Sequence, residues 1–412
     1  MLRAGFASID ITPHARQSLI GYDFRWSELP PGNDGVHDPL YARVLVLHDG
    51  KSPAALVSLD LCVLEIDLAR HLRRAVARKI GAAFDRVVVS TIHTHSGPFP
   101  RLPAARKTRG QSKAAAQRRK LGEEYAAFLE GRLVDAAARA SGLTYPVGVS
   151  AVCAPLGIGY TRRVRTRDGI KHCWNPLEFP DLVPDVSPDP TCTVVALRQP
   201  AGSRKFVLWS AGAHPVVLGK TSRVVSADWP GAACDMIDRS VAGARSMFLL
   251  GAAGEVHPWI ATQEDPAQIE PVASAASSLV RLMVESGAGR FEPDPSFAIA
   301  TRTWKCGQRQ LDLAAWRIGP ALLLFAPVEL FASLSRELRA RLKSPAIIAT
   351  VSNGWCGYWP DKAAFAEGQY EVDATWGIKA GDGERLIAQM AELAEEVDGS
   401  GVGGLKNSRR QG

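Results

Sequence analysis

The sequence predicts an α/β fold of the mixed α+β kind: one large domain with mixed β-sheets flanked by helices. Short apolar or alternating runs of strand length interleave irregularly with segments of helical period, which argues against a cleanly doubly wound sheet. No internal repeat, heptad or long low-complexity stretch divides the chain. Of its 412 residues 46% are apolar and 22% charged, an ordinary globular balance with material for a sizeable core.

Residues 4–11 and 40–48 read as strands, Asp49-Gly50 as a hairpin turn, and 54–60 as the returning strand. Apolar positions at three- and four-residue steps predict a helix over 64–80. The β-branched run 86–92 predicts a buried strand, and 123–140 a helix. A hairpin is expected over 191–198 and 205–209, helices over 235–242 and 265–285, and a tight turn at Gly319-Pro320 within 316–326. Residues 331–342 read as a helix, 346–351 as a strand and 384–397 as a last helix. The Gly-, Ser- and Lys/Arg-rich stretch 398–412 reads as a disordered tail.

No run approaches the roughly 20 apolar residues that cross a bilayer, so stable membrane insertion is not expected. The first ten residues lack a basic start followed by an apolar stretch, and the seven cysteines are scattered singly. Both features predict a reducing compartment, the cytoplasm by default. The formal charge is +7, and eight Lys or Arg residues with no acid lie between Arg101 and Lys120. A block of this kind reads as a solvated loop, here 101–121, or as an attractor for an anion. With no aromatic residue in the run, nucleic acid is not the expected partner. Gly50-Lys51-Ser52 and Gly219-Lys220-Thr221 lack the earlier glycine of a phosphate loop, and GxSxG and HExxH are absent.

The strongest local feature is Ser90-Thr91-Ile92-His93-Thr94-His95-Ser96-Gly97-Pro98. Strand periodicity puts His93 and His95 on one side of a strand end. Both then face one metal, or one binds it while the other handles a proton; otherwise they are polar loop residues. Four other apolar runs end as abruptly. They lead into His214-Pro215, into Gly254-Glu255-Val256-His257-Pro258, into Glu329, and into Asn353-Gly354-Trp355-Cys356-Gly357-Tyr358. A carboxylate after such a run is costly to bury unless paired or metal-bound, although Glu329 also suits a helix start. Tyr358 alone reads as a packing residue.

In this order the motifs HTHSGP, His-Pro with Ser-Ala-Asp, GAAGxVxP, a strand into Glu, and NGxxGY resemble the catalytic domain of neutral/alkaline ceramidases. The opening residues 4–13 and the stretch 38–44 resemble that family too, and the match runs from about residue 3 to 373. The resemblance implies a ceramidase-like catalytic region over 1–397 with a single zinc ion. His93, His214, Glu329 and Tyr358 would be its ligands. His95 would be the catalytic group beside the metal-bound water, and Arg162, with Thr161 before it where the family has Asn, would contact the substrate. The activity implied is hydrolysis of a C–N amide bond in a small molecule.

Two departures qualify that implication. His257 stands where the family has an essential serine, and an imidazole there acts as base, hydrogen-bond donor or additional metal ligand. The family also continues into an immunoglobulin-like domain, whereas this sequence has none. A smaller, anionic substrate is therefore expected rather than ceramide. The remaining readings are a zinc esterase or other acyl hydrolase, and a catalytically silent, metal-stabilised binding protein.

Overall fold

Three sheets share one plan: an antiparallel hairpin whose second strand is joined, through a helix, to a parallel edge strand. The computed structural model describes residues 1–103, 112–287, 291–375 and 377–399. In the first sheet the order is Val87–Thr91, Pro53–Leu59, Tyr41–His48, Arg3–Asp10 and Tyr145–Pro146. The second runs Ala244–Leu250, Lys205–Ala211, Thr191–Arg198 and Gly148–Pro155. The third runs Phe297–Cys306, Arg309–Ile318, Ala321–Phe325 and Ala346–Ala349. The parallel pairs are Pro53–Leu59 with Val87–Thr91, Lys205–Ala211 with Ala244–Leu250, and Ala321–Phe325 with Ala346–Ala349. Parallel neighbours need a crossover, supplied by the helices Ile66–Ile80, Asp228–Ser240 and Ala332–Arg341.

The inner faces of all three sheets meet in one core, with Leu47, Leu56 and Val88 from the first, Leu208 and Met247 from the second, and Trp316, Phe325 and Ile347 from the third. Strands buried on both faces read as continuous apolar runs, which is why most were legible in the sequence. Outside lie the helices. Ile66–Ile80 turns Leu68, Leu72, Val76 and Ile80 inward at four-residue steps and ends at Gly81, whose φ of 69° suits the left-handed cap. Each such buried side chain contributes roughly 1.5–3 kcal/mol. Among the described residues no helix is long and apolar enough to cross a membrane.

The expected single mixed domain is therefore observed, with differences in detail. The basic stretch 101–121 is not a loop throughout: a helix spans Lys113–Gly142, with Ser112 accepting from the Ala115 amide at its start. Charge density suggested solvation there, but Lys, Arg, Gln and Ala are also strong helix formers. Residues 104–111 of that stretch lie outside the described residues. The last helix, Asp382–Gly399, runs past the expected start of the tail, of which 400–412 lie outside the described residues. The strand Phe297–Cys306 was not anticipated, because its side chains are mostly partly exposed or exposed and give no apolar run.

Candidate metal centre

The carboxyl ends of the three parallel pairs deliver six of the seven predicted residues to one place, and Arg162 comes from the junction of the strands Gly159–Thr161 and Arg163–Thr166. Beyond Leu59 and Thr91 come Cys62 and His93, beyond Ala211 and Leu250 come His214 and His257, and beyond Phe325 and Ala349 come Glu329 and Tyr358. Open α/β sheets collect ligands at such strand ends.

His93 has φ 71°, in the left-handed region that only a tightly held non-glycine residue adopts. Its amide donates to the Leu61 carbonyl at 2.9 Å and its Nδ1 lies 3.0 Å from the Cys62 carbonyl. His214 is held in the same way, its amide and its Nδ1 both on the Val256 carbonyl at 3.0 and 3.1 Å. A carbonyl only accepts, so each Nδ1 carries hydrogen and each Nε2 points inward. Glu329 begins a two-residue strand paired parallel with Tyr358–Trp359, directly beside Tyr358. Trp355 Nε1 donates to Glu329 Oε1 at 2.7 Å, leaving Oε2 3.3 Å from His93 Nε2 and 3.2 Å from His214 Nε2.

The ionisable groups of the site are coupled to one another. Burial opposes ionisation of Glu329, but the charge of His93 and the hydrogen bonds of both histidines hold it well below the usual carboxylate range. Burial likewise opposes a charge on His93, and is outweighed by Cys62 and Glu329, which raise it well above the ordinary imidazole value. His214 moves the other way, lowered by burial and by Arg162 and His93 despite its bond to Glu329. A neutral His214 with its Nδ1 hydrogen on Val256 presents a lone pair to a carboxylate oxygen at 3.2 Å. Two acceptors at that distance require a cation or a proton between them. The group His93, His214 and Glu329 has its ligand atoms within 4.8 Å of one another, and an imidazole–imidazole–carboxylate set suits zinc. The residues fit the implied ion. Burial first, then Glu329, raises the Tyr358 phenol, with Arg162 opposing.

His95 Nε2 lies 3.4 Å from His93 Nε2, so the two do converge. They do so by a different route from the one expected: the strand ends at Thr91, and the left-handed turn at His93 rather than strand alternation brings them together. Burial first, then the charge of His93, keeps His95 well below its ordinary pKa, and hence neutral. Its Nδ1 is buried without a hydrogen-bond partner among the described residues. Tyr22 packs edge-on against its ring at 4.9 Å.

Arg162 donates from Nε to Glu371 at 2.7 Å, from one terminal nitrogen to His257 Nε2 at 2.9 Å and from the other to the Gly254 carbonyl at 2.8 Å. Since a guanidinium cannot accept, His257 Nε2 is the acceptor, and its Nδ1 donates to the Trp174 carbonyl at 3.1 Å. Burial and Arg162 hold His257 well below its ordinary pKa. Both of its nitrogens are thus engaged in holding Arg162 in place. The Arg162 guanidinium carbon lies 5.7 Å from the Tyr358 ring centroid and 5.0 Å from that of Trp174.

All seven predicted residues are brought together. Sequence reasoning missed Glu371, which is fully buried and also accepts from Arg163 and His172 at 2.8 and 2.9 Å. It sits on the four-residue helix Tyr370–Asp373, whose sequence carries no motif. Trp355 was within reach, as one of the variable positions between Gly354 and Gly357. Asp228, at φ 53°, was also visible in the Ser-Ala-Asp motif; it accepts from the amides of Val217 and Leu218 and so fixes the loop after His214.

No protein-family model matches the chain. Among solved structures it is similar to a neutral ceramidase from Pseudomonas aeruginosa, with a TM-score of 0.72 at 16% identity over 96% of this chain and 75% of that one. A ceramidase described as complexed with C2 gives a TM-score of 0.72 at 15% identity over the same shares. At that identity the likeness speaks for architecture. Over 96% of its length the chain has a ceramidase-like catalytic-domain fold.

Proposed function

We propose that this chain is a zinc-dependent hydrolase that cleaves a C–N amide bond in a small molecule. One observation carries the reading: two imidazole nitrogens with their Nδ1 hydrogens fixed on backbone carbonyls face one carboxylate oxygen at 3.2–3.3 Å, inside a ceramidase-like fold. His93, His214 and Glu329 would hold the ion, with Tyr358 completing the set. Bound there, zinc supplies a Lewis acid and brings the pKa of water toward neutrality.

The chain's own groups then divide the work. Neutral His95, with Nε2 turned toward the ligand nitrogens, accepts a proton at that atom and returns it to the leaving amine. Arg162 has five N–H groups, of which three are committed to Glu371, His257 and Gly254; what remains can stabilise charge on an acyl oxygen. Glu371 offsets the Arg162 charge, which supports a carbonyl rather than a free carboxylate as its partner. His257, as a neutral acceptor, acts through Arg162 and is a positioning residue in this scheme. The seven unpaired cysteines support a reducing compartment such as the cytoplasm.

A panel of small amides and esters, assayed with and without chelator, tests the proposal. Amide turnover that is lost with chelator and restored by zinc is expected, and His93→Ala and His214→Ala should lose both metal and turnover. Turnover that persists in zinc-free protein would refute it.

A further inference from the structure

The basic run after HTHSGP takes no part in the metal centre, yet its described portion builds a cavity of its own. A cleft of about 90 Å³ is lined by Gln17, Trp26, Phe99, Arg101, Arg118 and Arg119 among others. Its walls are fixed. Buried Gln17 donates to the Leu121 carbonyl at 3.0 Å, and Trp26 donates to the Leu19 carbonyl at 2.9 Å while meeting Phe99 edge-on at 6.2 Å. The aromatic faces serve the arginines: Arg101 lies 4.5 Å from the Phe99 centroid, and Arg118 5.5 Å from that of Trp26.

Two of the arginines at this cleft have no carboxylate within hydrogen-bond distance among the described residues. Arg119 pairs with Glu123 at 3.0 Å, and Arg101 has Glu65 only at 3.8 Å. Arg118 reaches the Leu29 carbonyl at 3.1 Å, and among the described residues no carboxylate lies within ion-pair distance of it. The Nε atoms of Arg101 and Arg118 are both buried without a hydrogen-bond partner among the described residues. Buried donors on a charged group are costly unless satisfied.

We propose that this cleft is a binding site for a small oxyanion, a phosphate or carboxylate group held by Arg101, Arg118 and Arg119. Guanidinium forks match such groups, and rings that already carry arginines on their faces leave the site selective for charge rather than for a flat ligand. The site adjoins the metal centre along the chain: Phe99 follows His95 by four residues, and Arg25, next to Trp26, donates to the His95 carbonyl. The oxyanion is either the charged end of the substrate or a separate phosphate.

Calorimetric titration of the full chain with inorganic phosphate at constant ionic strength tests this without reference to catalysis. Saturable binding is expected, weakened at least about tenfold in Arg118→Gln, with melting temperature and metal content unchanged. Arg101→Gln should weaken it too. Phosphate that competes with an amide substrate assigns the site to the substrate's charged end, and phosphate that binds without competing assigns it to a separate ligand. Absence of saturable binding to the unmodified chain, or an affinity in both variants unchanged from that of the unmodified chain, would overturn the proposal, and neither result bears on the metal centre.

Discussion

At the scale of single residues, the site works by removing alternatives. Backbone carbonyls fix which nitrogen of His93 and of His214 carries hydrogen, and Arg162 does the same for His257. Replacing Arg162 with alanine is expected to lower kcat by roughly 100-fold or more while leaving metal content intact. His257→Ala should reproduce part of that loss through a misplaced guanidinium. A His257→Ala enzyme that loses its metal would instead make His257 a ligand. Much of this was legible, because a polar residue after a buried apolar run is an expense that sequence makes visible: His93, His214 and Glu329 stand there, whereas Tyr358 alone reads as a packing residue and was singled out only by the resemblance. Glu371 was not legible, since a carboxylate in Tyr370-Glu371-Val372-Asp373 looks like surface until two guanidinium groups and an imidazole are found around it.

At the scale of elements, what matters is how the strand ends are anchored. Glu255 places both carboxylate oxygens on the Ala332 amide, at 3.0 and 3.1 Å, where the helix Ala332–Arg341 begins. Burial nonetheless raises its pKa from 4.5 to about 8, the bonds to backbone amides opposing. The folded state therefore binds a proton that the unfolded state gives up. This contribution to stability is full below about 4.5 and lost as pH rises through about 8. Urea unfolding at pH 5 and pH 8 should show Glu255→Gln flattening that decline, whose slope is at most about 1.4 kcal/mol per pH unit. An unchanged slope would contradict the assignment. Another anchor is Gly21, whose φ is 110° and where an added Cβ would lie 2.4 Å from the His95 ring. Gly21→Ala is expected to cost at least about 1 kcal/mol and to cut turnover by shifting His95, with zinc retained. The buried strands and amphipathic helices were readable from periodicity. The strand Phe297–Cys306 and the first turns of Lys113–Gly142 were not, because partial exposure and charge density conceal both periods.

Across the whole molecule, one core between three sheets holds three parallel strand pairs so that their ends converge, and the site is a consequence of that convergence. Neither the convergence nor the sheet order follows from the sequence by itself, since each pair is local while the meeting of the pairs depends on packing among Trp316, Phe325, Met247 and Leu56. The likeness to ceramidase structures extends over the same architecture, while the oxyanion cleft lies outside the metal centre. Anomalous X-ray scattering at the zinc edge from zinc-loaded crystals tests the central claim most directly. One peak between His93 Nε2, His214 Nε2 and Glu329 Oε2 is the predicted result. No peak there, or a peak held by Cys62 and His95 without Glu329, would contradict it.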